Sequence, residues 1–300
     1  MPPKPRHRLT AIGATLTTTM ALVFSTLTVF GFAPSAGAAT TDVFYLDIGA
    51  SVSVGVQPTT TAPQGQPTDR GYANRLVTLE ATKGVTLRLT KLGCPGESTT
   101  TMITGGDRCY QAPDNQLTDA VTFLQAHHDQ TGLVTLDLGF NDIVSCLRGA
   151  SVDVTCVNQN LAVLARQLPQ IISTLKAVAG PNVTFIGLNH YNPYTARALL
   201  GAKGVQFARD STTVLRQLND LLQQIYGSYA VPMANVVKAF SQDATLNSKS
   251  DLPRRTPASV RVACNLTWMC RTGLYGPNLH PNNAGYEAIT DAIAALLPKW

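Results

Sequence analysis

Strand and helix patterns alternate along this chain from Phe44 to its C-terminal end, and that alternation restricts the folds open to it. Apolar strand patterns begin at residues 43, 85, 133, 183 and 230, and a helical pattern follows each of them. Alternating strands and helices pack as a parallel sheet covered by helices on both faces. The sequence therefore predicts an α/β fold, a three-layer α/β/α sandwich around a five-stranded parallel sheet.

The first 38 residues have the layout of a secretory signal peptide. Lys4, Arg6 and Arg8 precede a long uncharged apolar run, and Ala36-Gly37-Ala38 offers a small-residue cleavage site. We therefore expect residues 1–38 to be a signal peptide, residues 39–300 to form one domain, and the protein to be secreted. An uncleaved membrane anchor is the alternative, because the first apolar run approaches spanning length. No later run does so, and we expect no membrane span in the mature chain.

Charge and composition argue against several classes of partner. The formal net charge is +5, and three of the basic residues lie in the predicted signal peptide. The rest of the chain is near neutral and has no basic run, so we expect no nucleic-acid partner.

The Walker and Rossmann glycine patterns that bind nucleotide phosphates are missing, and we expect no cofactor. We expect a monomer.

Six cysteines lie in the predicted mature chain, and export favours disulfide bonds between them. Sequence alone permits many pairings. We expect neighbours to pair, since each neighbouring pair falls within one predicted loop region. The expected bonds are Cys94–Cys109, Cys146–Cys156 and Cys264–Cys270. No Cys-x-x-Cys pair exists, so we expect no metal site.

A candidate nucleophile follows the first strand, where the apolar run ends at Gly49-Ala50-Ser51. A hydroxyl in this position lies at the carboxyl edge of the sheet, which is where open α/β folds place their chemistry. The Gly-x-Ser-x-Gly turn of the α/β-hydrolases is absent. Taken alone, Ser51 is therefore better explained as an ordinary loop serine, and the blocks that follow shift that interpretation.

Four sequence blocks together resemble the SGNH hydrolases, also called GDSL hydrolases, and most closely their secreted bacterial esterases and lipases. The blocks are GAS at 49–51, LGCPGEST at 92–99, GFND at 139–142 and NLHPNNAGY at 278–286. They occur in the family's order and cover nearly the whole mature chain. The resemblance implies a flavodoxin-like sheet and a carboxylic ester hydrolase that works through an acyl-enzyme.

The resemblance also implies a role for each block. Ser51 would be the nucleophile and His280 the general base. The oxyanion donors would be the main-chain amides of Ser51 and Gly96 and the side-chain amide of Asn141. His190 is the reserve candidate for the base.

Two positions depart from the family pattern. Ala50 replaces the aspartate beside the nucleophile, which implies a local change in hydrogen bonding. Asn278 occupies the position of the acid that orients the histidine. An asparagine can orient the His280 ring but cannot neutralise an imidazolium. The ring is then held either by Asn278 or by a main-chain oxygen, such as that of Gly276 or Pro277.

Other functions remain open because of Asn278. One alternative is a catalytically impaired domain of the same fold that binds carbohydrate or lipid. Another is an acyltransferase that uses the same residues. The ester itself is also open, since small-molecule, lipid and polysaccharide esters all fit the resemblance.

Two aspartates in neighbouring strand patterns raise a separate expectation. Asp47 and Asp137 each lie two residues before the glycine of their block. If the two strands are adjacent and in register, the carboxyl groups lie close together and one pKa rises. The alternative is that each carboxyl group has its own hydrogen-bond partners.

Overall fold

Five parallel strands form the central sheet, in the spatial order second, first, third, fourth, fifth. The computed structural model describes residues 41–106, 108–242 and 257–300, so the predicted signal peptide at 1–38 lies outside the described residues. The strands are β1 (Thr41–Gly49), β2 (Val85–Lys91), β3 (Gly132–Asp137), β4 (Val183–Leu188) and β5 (Met233–Ala234). The predicted five-stranded parallel sheet is confirmed.

Helices and one small antiparallel strand pair surround this sheet. The helices are α1 (Tyr72–Ala81), α2 (Thr99–Thr104), α3 (Gln116–Ala126), α4 (Phe140–Ile143), α5 (Val154–Val178), α6 (Ala202–Ser228), α7 (Val236–Ala239), α8 (Ala258–Leu266) and α9 (Asn283–Ala294). Short 3₁₀ segments span Val144–Leu147, Pro193–Leu200 and Gly273–Tyr275. The antiparallel strands are β6 (Thr267–Trp268) and β7 (Asn278–Pro281).

The alternation of side chains along β1 creates the three layers. Phe44, Leu46 and Ile48 lie in one buried cluster with apolar residues of α3, α5 and α6. Val43 and Tyr45 face the other way, into a second cluster with α1 and α9. Because successive residues of a strand point to opposite faces, one strand contributes to both cores. The predicted α/β/α sandwich is confirmed.

Some element boundaries differ from the predicted ones. Pro169 predicts either a kink or a division into two helices, and α5 is one helix through it. Strand β5 has two residues, whereas the sequence pattern predicted a strand over 230–237. The reason is local: the Asn235 side chain accepts a hydrogen bond from the amide of Lys238 and caps α7, which ends the extended segment. Helix α8 and the β6–β7 pair were not predicted.

The six cysteines form the three expected disulfides, Cys94–Cys109, Cys146–Cys156 and Cys264–Cys270. Each bond closes a short surface loop, with sequence separations of 15, 10 and 6 residues. Within the described ranges, no helix is both long and apolar enough to cross a bilayer.

Candidate active site

The carboxyl ends of β1, β2 and β3 meet strand β7 around a cavity of about 280 Å³. Ser51, Gly96, Asn141 and His280 all line this cavity. Each comes from a different part of the chain, and parallel strands bring the first three to one edge of the sheet. The structure thus brings together the four residues that the sequence blocks singled out.

The turn that carries Ser51 is fixed by side chains from two other elements. The amide of Gly49 donates to Oε1 of Gln116 at 2.7 Å, and Nε2 of Gln116 donates to the Gly49 carbonyl at 3.0 Å. The amide of Ala50 donates to the main-chain oxygen of Asp137 at 3.1 Å, and that of Ser53 to its Oδ2 at 3.2 Å. These buried bonds hold the turn that carries Ser51 against α3 and the end of β3.

Each candidate oxyanion donor keeps at least one N–H hydrogen that forms no other hydrogen bond with a described residue. In the described part of the chain, neither the amide of Ser51 nor that of Gly96 donates a hydrogen bond. Gly96 has a φ of +93°, a backbone conformation that favours glycine. Asn141 donates through Nδ2 to the carbonyl of Glu97 at 3.0 Å. An amide nitrogen carries two hydrogens, so one remains for a substrate oxygen.

Asn278 orients the His280 ring. Its Oδ1 accepts the His280 main-chain amide at 3.0 Å and lies 2.7 Å from Nδ1 of the ring, while its Nδ2 donates to the Gln64 carbonyl at 2.9 Å. These partners fix which end of the amide is oxygen. Nδ1 of His280 must therefore be the donor, which leaves the lone pair on Nε2. The contact comes from the side chain of Asn278, not from a main-chain oxygen of Gly276 or Pro277.

Burial favours the neutral form of His280. Burial lowers the pKa of His280 from 6.5 to about 4, because the charged imidazolium loses hydration. No described group forms a hydrogen bond with Nε2 of His280 or with Oγ of Ser51, and the two atoms are not bonded to each other. Catalytic hydrogen bonds are often loose without substrate and tighten when it binds.

His190, the reserve base, also lines the cavity but is already engaged. Its Nε2 lies 2.8 Å from the Leu138 carbonyl, and its Nδ1 lies 3.7 Å from Oδ1 of Asp137. A base whose ring nitrogen donates to a carbonyl has no lone pair there to accept a proton. These contacts indicate that His190 stabilises the end of β3.

The two strand aspartates are adjacent but offset. Strands β1 and β3 pair so that Gly49 lies opposite Asp137, and Asp47 lies opposite Thr135. The expected matching register is therefore wrong by two residues. Asp47 has its own partners, since its Oδ1 accepts from Tyr72 and Thr135 at 2.7 and 2.8 Å. The pKa of Asp47 is raised well above its usual value, chiefly by burial and only in smaller part by Asp137.

Several cavity residues could not be found from the sequence. Gln64 and Gly65 belong to the Thr/Pro-rich segment that reads as a plain surface loop, yet Gln57 and Gln66 pair across it and turn it toward the site. Arg108 and Arg148 stand in loops without any motif. Across the described ranges, no three His, Cys, Asp or Glu side chains cluster as metal ligands would.

Comparisons with known proteins give one family match and several structural matches. A family model described as GDSL-like lipase/acylhydrolase matches residues 48–288. The match includes all four blocks around the cavity. No curated protein sequence matches the chain.

Solved structures show the same fold at low identity. An extracellular lipase from Streptomyces rimosus has a TM-score of 0.53 and 14% identity, over 85% of this chain and 100% of that one. A phospholipase A1 from Streptomyces albidoflavus has a TM-score of 0.54 and 15% identity, over 84% of this chain and 98% of that one. At such identities the similarity shows a shared fold.

Proposed function

We propose that this chain, which belongs to the GDSL-like lipase/acylhydrolase family, is a secreted serine hydrolase that cleaves carboxylic esters through an acyl-enzyme on Ser51. One observation carries the proposal: Ser51 and His280 line one cavity, and the Asn278 contact leaves the lone pair of the ring on Nε2. That is the tautomer a general base needs.

The reaction would proceed in two halves. Oγ of Ser51 attacks the ester carbonyl while Nε2 of His280 takes its proton, and the amides of Ser51, Gly96 and Asn141 stabilise the oxyanion. Collapse of the tetrahedral intermediate breaks the ester C–O bond, and His280 returns the proton to the departing alcohol. Water then attacks the acyl-enzyme with His280 again as base, which releases the acid and restores Ser51.

Asn278 would act as a positioning residue in this scheme. It holds the ring in the required tautomer through Oδ1, but it brings no negative charge to balance the imidazolium that forms during attack. The base is consequently weak, in line with the lowered pKa of His280. We expect slow but genuine turnover rather than a catalytically impaired binding domain.

Secretion and an ester of biological origin fit the same proposal. Residues 1–38 have a signal-peptide pattern, and the three disulfides suit an oxidising compartment. The structurally similar proteins are an extracellular lipase and a phospholipase A1. A lipid or another small ester is therefore the substrate class that we propose.

Hydrolysis of p-nitrophenyl esters from acetate to palmitate tests the proposal. We expect Ser51→Ala to abolish turnover, and Ser173→Ala, which removes a hydroxyl on the exposed side of α5, to leave it unchanged. Undiminished turnover in Ser51→Ala would contradict the mechanism. No turnover of any ester by the wild-type protein would favour the binding domain. Product analysis with added alcohol distinguishes hydrolysis from acyl transfer.

A further inference from the structure

The cavity that holds Ser51 carries two cationic side chains at its exposed rim. Arg108 and Arg148 both line it, and both are exposed to solvent. No carboxylate of the described residues lies within ion-pair distance of either guanidinium. An arginine in a substrate cavity that no described carboxylate pairs with is available to bind a ligand.

Arg108 lies directly beside one of the proposed oxyanion donors. A Cβ placed on Gly96 would lie 3.6 Å from Cζ of Arg108, so the guanidinium covers that glycine. The Cys94–Cys109 disulfide explains the contact, because it joins the residue after Arg108 to the residue two before Gly96. The guanidinium is thereby kept near the site of chemistry.

Arg148 has a matching position on the other oxyanion block. It follows Cys146 by two residues, and the Cys146–Cys156 disulfide closes the loop in which it stands. The same segment begins with α4, which carries Asn141. Arg108 is therefore tied by a disulfide to the block that contains Gly96, and Arg148 lies in a disulfide-closed loop that follows the block containing Asn141.

The remaining charges of the cavity do not cancel these two. Asp137 is the one carboxylate among the described lining residues, and it is almost fully buried. It accepts a hydrogen bond from the Ser53 amide and lies beside the His190 ring. Burial raises the pKa of Asp137 from its usual value. His280 is neutral at pH 7. Among the described lining residues, two exposed arginines therefore stand against one buried carboxyl group.

We infer that the preferred ester carries an anionic oxygen group, a carboxylate or a phosphate, which Arg108 and Arg148 bind while Ser51 attacks. The inference rests on the proposed function and narrows its substrate class. Guanidinium groups bind carboxylate and phosphate through paired N–H donors, which gives orientation as well as attraction. Two tethered arginines at one rim would hold such a group at a fixed distance from the scissile carbonyl.

Matched pairs of anionic and neutral esters test this inference. One pair carries the charge on the acyl side, as mono-p-nitrophenyl adipate and its primary amide. The other carries it on the alcohol side, as 4-acetoxybenzoate and 4-acetoxybenzamide. The quantity to compare is the ratio of kcat/KM, anionic over neutral, with the uncatalysed rates subtracted. Inhibition by phenyl phosphate and by benzoate at equal ionic strength distinguishes phosphate from carboxylate.

We expect the ratio in at least one pair to fall about tenfold when Arg108→Gln and Arg148→Gln are combined. The control is Arg88→Gln with Arg166→Gln, which removes the same charge from exposed arginines that do not line the cavity. Arg108→Lys with Arg148→Lys should restore part of the preference. A ratio that is unchanged in the glutamine variant, or that falls equally in the control, would overturn the inference.

The salt dependence of the same kcat/KM ratio tests the inference on the wild-type enzyme, without any variant. Screening lengths shorten from about 10 Å at 0.1 M to about 3 Å at 1 M, so the preference for the anionic ester should decline over that range. A preference independent of salt would contradict binding by exposed arginines. If the neutral esters turn over in a Ser51-dependent way and no anionic preference exists, the inference fails while the proposed function stands. If no ester turns over, the proposed function fails first.

Discussion

Oδ1 of Asn278 lies 2.7 Å from Nδ1 of His280, the ring nitrogen that the aspartate of a Ser-His-Asp triad contacts. The loss of a triad aspartate is usually damaging because asparagine can present its N–H₂ and impose the wrong tautomer. Here the Gln64 carbonyl holds the N–H₂ away from the ring. The substitution therefore removes the charge but keeps the orientation.

The pH dependence of kcat/KM should report this arrangement. His280 must be neutral to accept a proton, and its pKa is about 4, so activity should fall only as the pH drops through about 4. Asn278→Asp supplies a negative charge beside the ring and raises the pKa of His280. We expect the acidic limb to move upward by about one pH unit or more and kcat at pH 8 to rise about tenfold.

The control for Asn278→Asp is Asn115→Asp. Asn115 caps α3 through its side-chain oxygen, a role that aspartate retains, so this variant adds the same charge outside the cavity. An acidic limb that stays in place in Asn278→Asp, or one that moves equally in the control, would contradict the assignment of His280 as the base.

Asn141→Ala should lower kcat by a factor of about 10²–10³, because one oxyanion donor is lost. The side chain also donates to the Glu97 carbonyl, so its removal could loosen the neighbouring loop. Steady-state kinetics together with the melting temperature separate the two effects. A lowered melting temperature with unchanged kcat would show that Asn141 is structural only.

Gly49→Ala should destabilise the fold more than Gly84→Ala does. Both glycines have positive φ, at +138° and +81°, and such strain costs about 1–3 kcal/mol in a residue with a side chain. A Cβ on Gly49 would also lie 2.4 Å from the main-chain oxygen of Asp137, whereas one on Gly84 meets no atom within 4 Å. Urea denaturation of both variants gives the comparison. Equal losses would argue against the close packing of β1 on β3.

Asp47→Asn should change how stability depends on pH. Since the folded pKa of Asp47 is raised, the folded state binds more protons, and the free energy of unfolding falls as pH rises above the unfolded value of about 3.9. Asparagine removes that dependence and preserves an acceptor for Tyr72 and Thr135. We expect the free energy of unfolding of the variant, measured by urea denaturation, to rise relative to that of the wild type as the pH increases from 4 to 7.

The matched change Asp114→Asn, at an exposed position, controls for the loss of one charge. A stability difference between Asp47→Asn and the wild type that stays constant from pH 4 to 7 would contradict a raised pKa for this carboxyl group.

Sequence patterns predicted the sheet and the blocks that line the cavity, for physical reasons. Buried strands are short apolar runs, and their carboxyl ends meet wherever the strands are parallel, so residues after Gly49 and Asp137 were expected to converge. Register is a different matter. It depends on which hydrogen bonds the ladder forms, and the offset of two residues between Asp47 and Asp137 has no signature in either strand alone.

The sequence also did not predict which residues form the rim of the cavity. Arg108 and Arg148 are exposed loop residues, and nothing in an isolated loop tells which surface it will face. The disulfides restrict both loops, because Cys94–Cys109 ties the Arg108 loop to the Gly96 block and Cys146–Cys156 closes the loop that contains Arg148. The pairing itself was expected, but its effect on the two arginines required coordinates.

Labelling with a fluorophosphonate is the most direct measurement of whether Ser51 is the nucleophile. Oγ of Ser51 would form a bond to phosphorus as fluoride leaves, and intact mass followed by peptide mapping locates the adduct. The account predicts one label per molecule, on Ser51, absent in Ser51→Ala and strongly slowed in His280→Ala. A protein that hydrolyses esters yet takes no label, or takes it at another residue, would contradict the account.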